Sequence, residues 1–327
     1  MTVAGARPAV VIVGGGVIGT SSAWRVAAEM GDRVEVVLLE ADAIGSGSTS
    51  RAVGEVETQY LGLEDIEPRV ESMRVLSELE SQGRITIHRN GYLRLARSPE
   101  TLAAMAASVD MQRSLGVTSA RLVGPDEIER MVPGVATEGL TGGLLGASDG
   151  HVDPYGLAQC FCQLAREVGA KVRERCRVST ISGERGGRFR LELSDGDTLL
   201  ADVVVNAAGS WAGQLNAGLG VDLPVVGYRH QVATFEVPAD YPDVPFTMDF
   251  VPRSGQPGVY FRKEGPRRLV AGLHDDHLDP DTVTDPDRCP EGVEPEFVDL
   301  VVAHLAALLP GLVDRLAFVN GWSGLYP

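Results

Sequence analysis

The sequence predicts an α/β fold with α+β insertions, and three observations predict it. Strand, glycine turn, helix and strand succeed one another within the first 39 residues; the same alternation returns across residues 150–209; and shorter, hairpin-like strands occupy the stretches between and after. Alternating strands and helices imply a parallel sheet with right-handed crossovers, whereas bunched short strands imply a mixed or antiparallel sheet. At 327 residues the chain is also too long for one ordinary core. Two interleaved domains follow, one inserted twice into the other.

Taken in order, Ala9–Val13 reads as a buried strand, Val17–Met30 as a helix and residues 34–39 as the next strand. After Arg84 the pattern changes to short strands, residues 85–88 and Tyr92–Ala96, with a helix near residues 101–115. Asp153 followed by Pro154 starts another helix, and Gly169 ends it. Ser194, Asp195 and Gly196 form a hairpin-turn signal, and residues 203–209 read as a further buried strand. Strands resume after Pro224, a helix fits residues 294–309, and residues 316–321 again look extended.

Composition removes several function classes. A net charge of -16 argues against a nucleic-acid partner, because phosphate binding needs a basic face. The early apolar stretch is broken at once by Gly14, Gly15 and Gly16, so it is neither a signal-peptide core nor a membrane span, and a cytoplasmic location is the default expectation. Cys160, Cys162, Cys176 and Cys289 lack the paired spacing of a zinc site, so free thiols and no metal are expected.

In "VVIVGGGVIGTSSAW" the glycines Gly14, Gly16 and Gly19 form G-x-G-x-x-G between a strand and a helix. Gly14 permits the tight turn, Gly16 lets a pyrophosphate approach the backbone and Gly19 lets helix and strand pack closely, the Rossmann-like arrangement. The free N–H groups of the helix start would face the diphosphate. Glu40, 21 residues after Gly19, can accept hydrogen bonds from an adenosine ribose, and Ala41 offers no partner for a 2′-phosphate. Further on, "SDGDTLLADVVVNAAGSWA" keeps a strand end thin with Ala207, Ala208 and Gly209, and it looks like the second motif of FAD proteins. FAD is the favoured cofactor; an NAD-dependent dehydrogenase with the same fingerprint is the weaker alternative.

These motifs, with "GSGSTSRAVGE", "GHVDPYGLAQ", "VYFRKEG", "LVAGLH" and the final "GWSGLYP", together resemble the D-amino-acid oxidase superfamily of FAD-dependent oxidoreductases, within it the sarcosine oxidase and dimethylglycine dehydrogenase branch. The resemblance implies an FAD-binding domain from residues 1–84, 150–222 and 314–327, and a mixed or antiparallel-sheet substrate-binding domain from 85–149 and 223–313. It also implies a further C-terminal segment beyond Pro327 that closes the cofactor site, so the chain is expected to be cut short. A truncated or partner-dependent, non-catalytic polypeptide is the alternative to an enzyme.

The resemblance implies an amine oxidoreductase acting on an N-alkylated or cyclic amino acid, with a small-molecule amine substrate and an electron acceptor or partner subunit. By family position Gly14, Gly16, Gly19 and Glu40 hold the ADP half and Val178 offers backbone contacts to adenine. Ser48, Thr49, Ser50 and Arg51 approach the pyrophosphate and ring, and Ala208, Gly209 and Trp211 its far side. Tyr326 stands where D-amino-acid and glycine oxidases carry a carboxylate-clamping arginine, which favours an N-alkylated substrate. His274 matches a pocket histidine suited to sharing the amine proton, or else is a loop histidine ahead of Asp275 and Asp276. Tyr260 matches a pocket aromatic, or else is core. Arg51 matches a cation near the flavin, or else pairs with Glu55. Gly54 replaces a family arginine. Val270 stands where sarcosine oxidase has its oxygen-activating lysine, and the chain's two lysines, Lys171 and Lys263, read as solvated. A dehydrogenase is therefore expected over an oxidase.

Overall fold

A computed structural model describes residues 7–184, 186–250, 257–274 and 282–327. The opening β-branched run Ala9–Val13 lies inside a four-stranded parallel sheet ordered Val203–Asn206, Ala9–Val13, Glu35–Leu39, Lys171–Arg173. Val10 to Val13 are all buried, because both faces of the sheet are covered. On one face the helices Val17–Met30 and Pro154–Glu167 meet each other through small side chains, Ala23 and Ala27 against Ala158, Cys162 and Ala165. On the other, Val11, Val13 and Leu39 pack on an antiparallel sheet of Val178–Gly183, Phe189–Leu193 and Thr198–Ala201. Asp153 caps its helix as its sequence suggests, accepting the Tyr155 N–H at 3.0 Å with Pro154 in the first turn.

The strand expected over residues 203–209 is shorter and less buried than the sequence implied. It spans Val203–Asn206 at the sheet edge, with Val203 48% exposed, since only one neighbour, Ala9–Val13, covers it. Residues 85–88 are not a strand: His88 makes one isolated bridge to His151, and the Ile87 N–H that a ladder would use is taken by Glu80 Oε1 at 2.9 Å. The helix Leu63–Ser81 escaped the sequence pattern, because it contains Pro68 and buries only Ile66, Leu76 and Leu79.

A nine-stranded mixed sheet forms the second layer system among the described residues. Its path runs Thr282–Val283, Gly227–Glu236, Arg268–His274, Gly258–Lys263, Phe246–Met248, Tyr92–Ala96, Gly142–Gly146, Ala120–Val123. Helix Pro295–Leu308 covers one face, where Val301, Leu305 and Leu308 join Phe235, Phe261 and Leu269 in the largest core. The last strand, Ala317–Tyr326, pairs along Gly227–Glu236, from Tyr228 opposite Tyr326 to Glu236 opposite Ala317. Its ladder thus belongs to this sheet, while its side chains reach back to the glycine-rich half.

Candidate functional site

The glycine turn is held by backbone contacts that exclude side chains. Gly14 has φ +111° and donates to Leu39 O at 2.8 Å; a Cβ there would stand 2.3 Å from Ala207 O. A Cβ on Gly19 would stand 1.8 Å from Gly14 O. Gly16 is different, because a Cβ would meet only Thr49 Oγ1, at 3.1 Å, so the space above it is open. Gly16 also begins helix Val17–Met30 without any side-chain cap of its own, which leaves a helix start facing that space.

Glu40 follows Leu39 directly, one residue beyond the strand. Its Oε2 accepts the Gly15 N–H at 2.5 Å and its Oε1 the Asp42 N–H at 2.8 Å, so the carboxylate is fixed beside the turn with lone pairs to spare. Cys176 N–H donates to Glu40 O at 2.8 Å, which brings the start of Val178–Gly183, and so Val178, to the same edge. The short helix Ser48–Arg51 lies over the turn: Gly45 N–H donates to Gly15 O at 2.9 Å, and Thr49 Oγ1 accepts the Val17 N–H at 3.0 Å. Ser50 sits beside it, bonded to Gly47 O at 3.3 Å. Ala208 abuts Gly14, and Gly209, at φ +52°, opens the turn that carries Trp211, whose Nε1 donates to Asp287 Oδ1 at 3.1 Å. An open glycine, a helix start whose N-cap residue has no side chain and an anchored acid together suit the diphosphate and ribose of a dinucleotide such as FAD.

Arg51 ends the short helix and does not pair with Glu55. Its guanidinium donates to Ser46 O and to Gly47 O, the latter at 3.0 Å, and lies 3.3 Å from Glu291 Oε1. Gly54, at φ +75°, turns the chain between the two, and a Cβ there would stand 2.2 Å from Val152 O, so no arginine fits at that position. The last strand closes on Arg51: Trp322 Nε1 donates to Arg51 O at 2.8 Å. Trp322→Ala is expected to lower stability by about 2 kcal/mol, and Trp322→Phe by about 1, read from denaturant midpoints.

Tyr260, His274 and Tyr326 converge, and His230 joins them. Tyr326 stacks on His230 at 3.8 Å between centroids; His274 lies 6.0 Å from His230 and 5.3 Å from both Tyr260 and Phe250. Tyr260 is buried, as its core reading required, yet forms this wall as well, with its ring against Gly272. Burial pushes Tyr326 up to about 12 and His230 below its usual range, so this stacked pair is neutral near pH 7. His274 is the half-buried last residue of Arg268–His274 rather than a loop residue; Asp275 and Asp276 lie outside the described residues.

Lys263 is a correction. It is the buried final residue of Gly258–Lys263, and its Nζ donates to Tyr241 O, so it is not solvated. Lys171 is exposed and pairs with Glu35, and Val270 is fully buried among apolar neighbours. A cleft of about 920 Å³, lined by His88, His151, Arg262 and Trp322, touches the expected residues only at Ser50 and Arg51. The sequence reading missed His230, Glu55 and Glu57; the alternation in "GEVE" was the available signal for the last two.

A family model described as DAO, FAD dependent oxidoreductase, matches residues 9–327. The chain is similar to the mitochondrial dimethylglycine dehydrogenase of Rattus norvegicus, 30% identical over 235 residues, covering 71% of this chain and 27% of that protein. The chain thus spans about a quarter of the length of the first curated relatives it matches. L-proline dehydrogenase from P. horikoshii superposes with a TM-score of 0.84 at 23% identity, covering 98% of this chain and 81% of that one, a likeness of fold. Glycine oxidase from Geobacillus kaustophilus superposes with a TM-score of 0.77 at 26% identity, covering 98% and 83%.

Proposed function

The chain belongs to the FAD-dependent oxidoreductase family matched by that model, and on this premise we propose that it oxidises the C–N bond of an N-alkylated or cyclic amino acid to an imine. The observation that carries the proposal is the meeting of Tyr260, His274, His230 and Tyr326 on one wall, whose last strand packs directly on Arg51 beside the glycine turn. Residues 1–84 and 150–222 are assigned the cofactor and 85–149 and 223–313 the substrate, with 314–327 joining the two.

FAD, when bound, supplies the acceptor for the hydride leaving the carbon next to nitrogen. Gly14, Gly16, Gly19 and Glu40 hold its ADP half, with Val178 beside adenine. Ser48, Thr49, Ser50 and Arg51 approach the pyrophosphate and ring, and Ala208, Gly209 and Trp211 the far side. The aromatic wall orients the amine, which has to be neutral to react; a free alkylamine has a pKa of about 10, so the pocket has to take up a proton. No helix among the described residues is long and apolar enough to cross a membrane.

The acceptor is proposed to be something other than oxygen. Both lysines are engaged, Lys171 with Glu35 and Lys263 with Tyr241 O, and Val270 offers no charge. The test is a visible spectrum of the purified chain with FAD, then anaerobic addition of sarcosine, N,N-dimethylglycine and proline. Stoichiometric flavin bleached by one of them, and reoxidised faster by a dye than by air, is expected. A chain that takes up no flavin would sink the reading.

A further inference from the structure

Glu55 and Glu57 alternate on one side of an extended segment whose strand Glu55–Val56 pairs with Gly150–His151. Their surroundings part them. Glu57 is buried and committed: Oε1 lies 3.5 Å from Arg69 Nε and 3.7 Å from Arg94 NH2, and Oε2 accepts the Gln59 N–H. Arg69 in turn stacks at 3.5 Å on the Tyr60 ring, and Arg94 Nε donates to Gln59 O at 2.6 Å. Among the described residues the Glu55 carboxylate has no hydrogen-bond or ion-pair partner, and solvent reaches it.

Glu55 nonetheless stands beside the aromatic wall: Val53, two residues before it, packs with Tyr92 and Tyr260, and Arg262 Nε donates to Val53 O at 3.1 Å. Burial first, then the charge of Glu57, raise its carboxyl to about 7, against Arg94, Arg262 and Arg69, which lower it. Its charge in turn raises the phenols of Tyr260 and Tyr326, the same two tyrosines that form the aromatic wall, and that of Tyr92. Water around the exposed carboxylate tempers the shift on Glu55; a bound ligand that displaces the water would strengthen it. From the other packed elements the facing groups are Arg69, Tyr92, Arg94, His151, Tyr260, Arg262 and Tyr326.

We propose that Glu55 receives the ammonium group of the substrate and takes its proton, an inference that rests on the amine-oxidising reading of this site. The step is a proton transfer alone: the N–H bond of the ammonium breaks, an O–H bond forms on Glu55, and neutral amine and neutral acid result. Two features make Glu55 the group for it. The arginines around the pocket repel a cation unless a carboxylate is free to answer it, and Glu57 is already spent on Arg69 and Arg94. A carboxyl poised near neutrality also exchanges a proton with an amine at little cost.

The test uses the FAD-loaded chain and two probes of one shape, betaine and its carbon isostere 3,3-dimethylbutanoate, which keeps the carboxylate and lacks only the ammonium charge, titrated by calorimetry from about pH 5.5 to about 8.5. Wild type is expected to prefer betaine by about tenfold at the alkaline end, with the preference vanishing as pH falls through about 7, where Glu55 protonates. Glu55→Gln abolishes the preference at every pH and moves the pH limb of anaerobic flavin reduction by N,N-dimethylglycine towards the amine's own pKa of about 10. Glu55→Asp restores part of both. A Glu55→Gln protein that keeps the betaine preference and the pH limb overturns the proposal while the amine-oxidising reading stands. A chain that binds neither probe and is bleached by no amine overturns both.

Discussion

Gly16→Ala keeps its fold and loses its flavin, whereas Gly14→Val loses both. The two glycines stand two residues apart in one turn, yet a Cβ meets different things at each. At Gly14 it meets Ala207 O at 2.3 Å, Ala207 C at 2.7 Å and Ala208 Cα at 3.0 Å, all backbone of the sheet edge, in a conformation with φ +111° that a β-branched residue resists. Neither obstacle yields, so a loss of more than about 3 kcal/mol is expected, and the turn is rebuilt or lost. At Gly16 the sole neighbour is Thr49 Oγ1 at 3.1 Å, a hydroxyl able to shift slightly, and the rest is open space. An added methyl there costs the apoprotein little and stands where a diphosphate would approach, which weakens FAD by about a hundredfold. Flavin absorbance per chain and the thermal midpoint separate the two effects. Wild-type FAD affinity in Gly16→Ala would show that the turn serves packing alone.

That contrast also explains what was legible in the sequence. Gly14 and Gly19 are demanded by backbone approach within one strand-turn-helix unit, so local sequence carries the whole requirement. Asp153 with Pro154 is equally local, and its cap formed as read. The substrate side depends on partners far along the chain. His230 meets Tyr326 because Tyr228 lies opposite Tyr326 and His230 opposite Gly324, a register between strands nearly a hundred residues apart. Lys263 misled for a related reason: the turn at Gly265, φ +64°, is where the sequence put it, but the strand continues through Lys263 and turns its amine inward to Tyr241 O. Glu55 and Glu57 carry a readable alternation, but only Arg69, Arg94 and Arg262, from three separate elements, make one carboxylate committed and the other free.

Asp149→Asn is expected to make the protein more stable at neutral pH and to flatten its stability profile between about pH 4 and about 6. Asp149 is 1% exposed, in a polar knot with Thr58, Gln59 and Gln112. Its Oδ2 accepts from Gln59 Nε2 at 2.8 Å and from Thr58 N–H at 3.2 Å, but burial outweighs these bonds and raises the carboxyl from 3.8 to about 6. The sign follows from proton binding: the folded chain holds this proton more tightly than the unfolded chain, so the group costs nothing below the unfolded value. Stability is then lost as pH rises towards the folded value, and above it the cost is constant, at most about 3 kcal/mol for a shift of this size. An amide removes the charge without stranding the knot. Thr58 Oγ1 already gives its hydrogen to Gln112 Oε1 at 2.8 Å, so its lone pairs, 3.4 Å from Asp149 Oδ1, can accept from the new NH₂. The neutral acid uses the same path, which is why the protonated form is at home there. Denaturant midpoints of both proteins across this range decide it. Parallel profiles would mean that Asp149 stays ionised, with the bonds from Gln59 and Thr58 outweighing its burial.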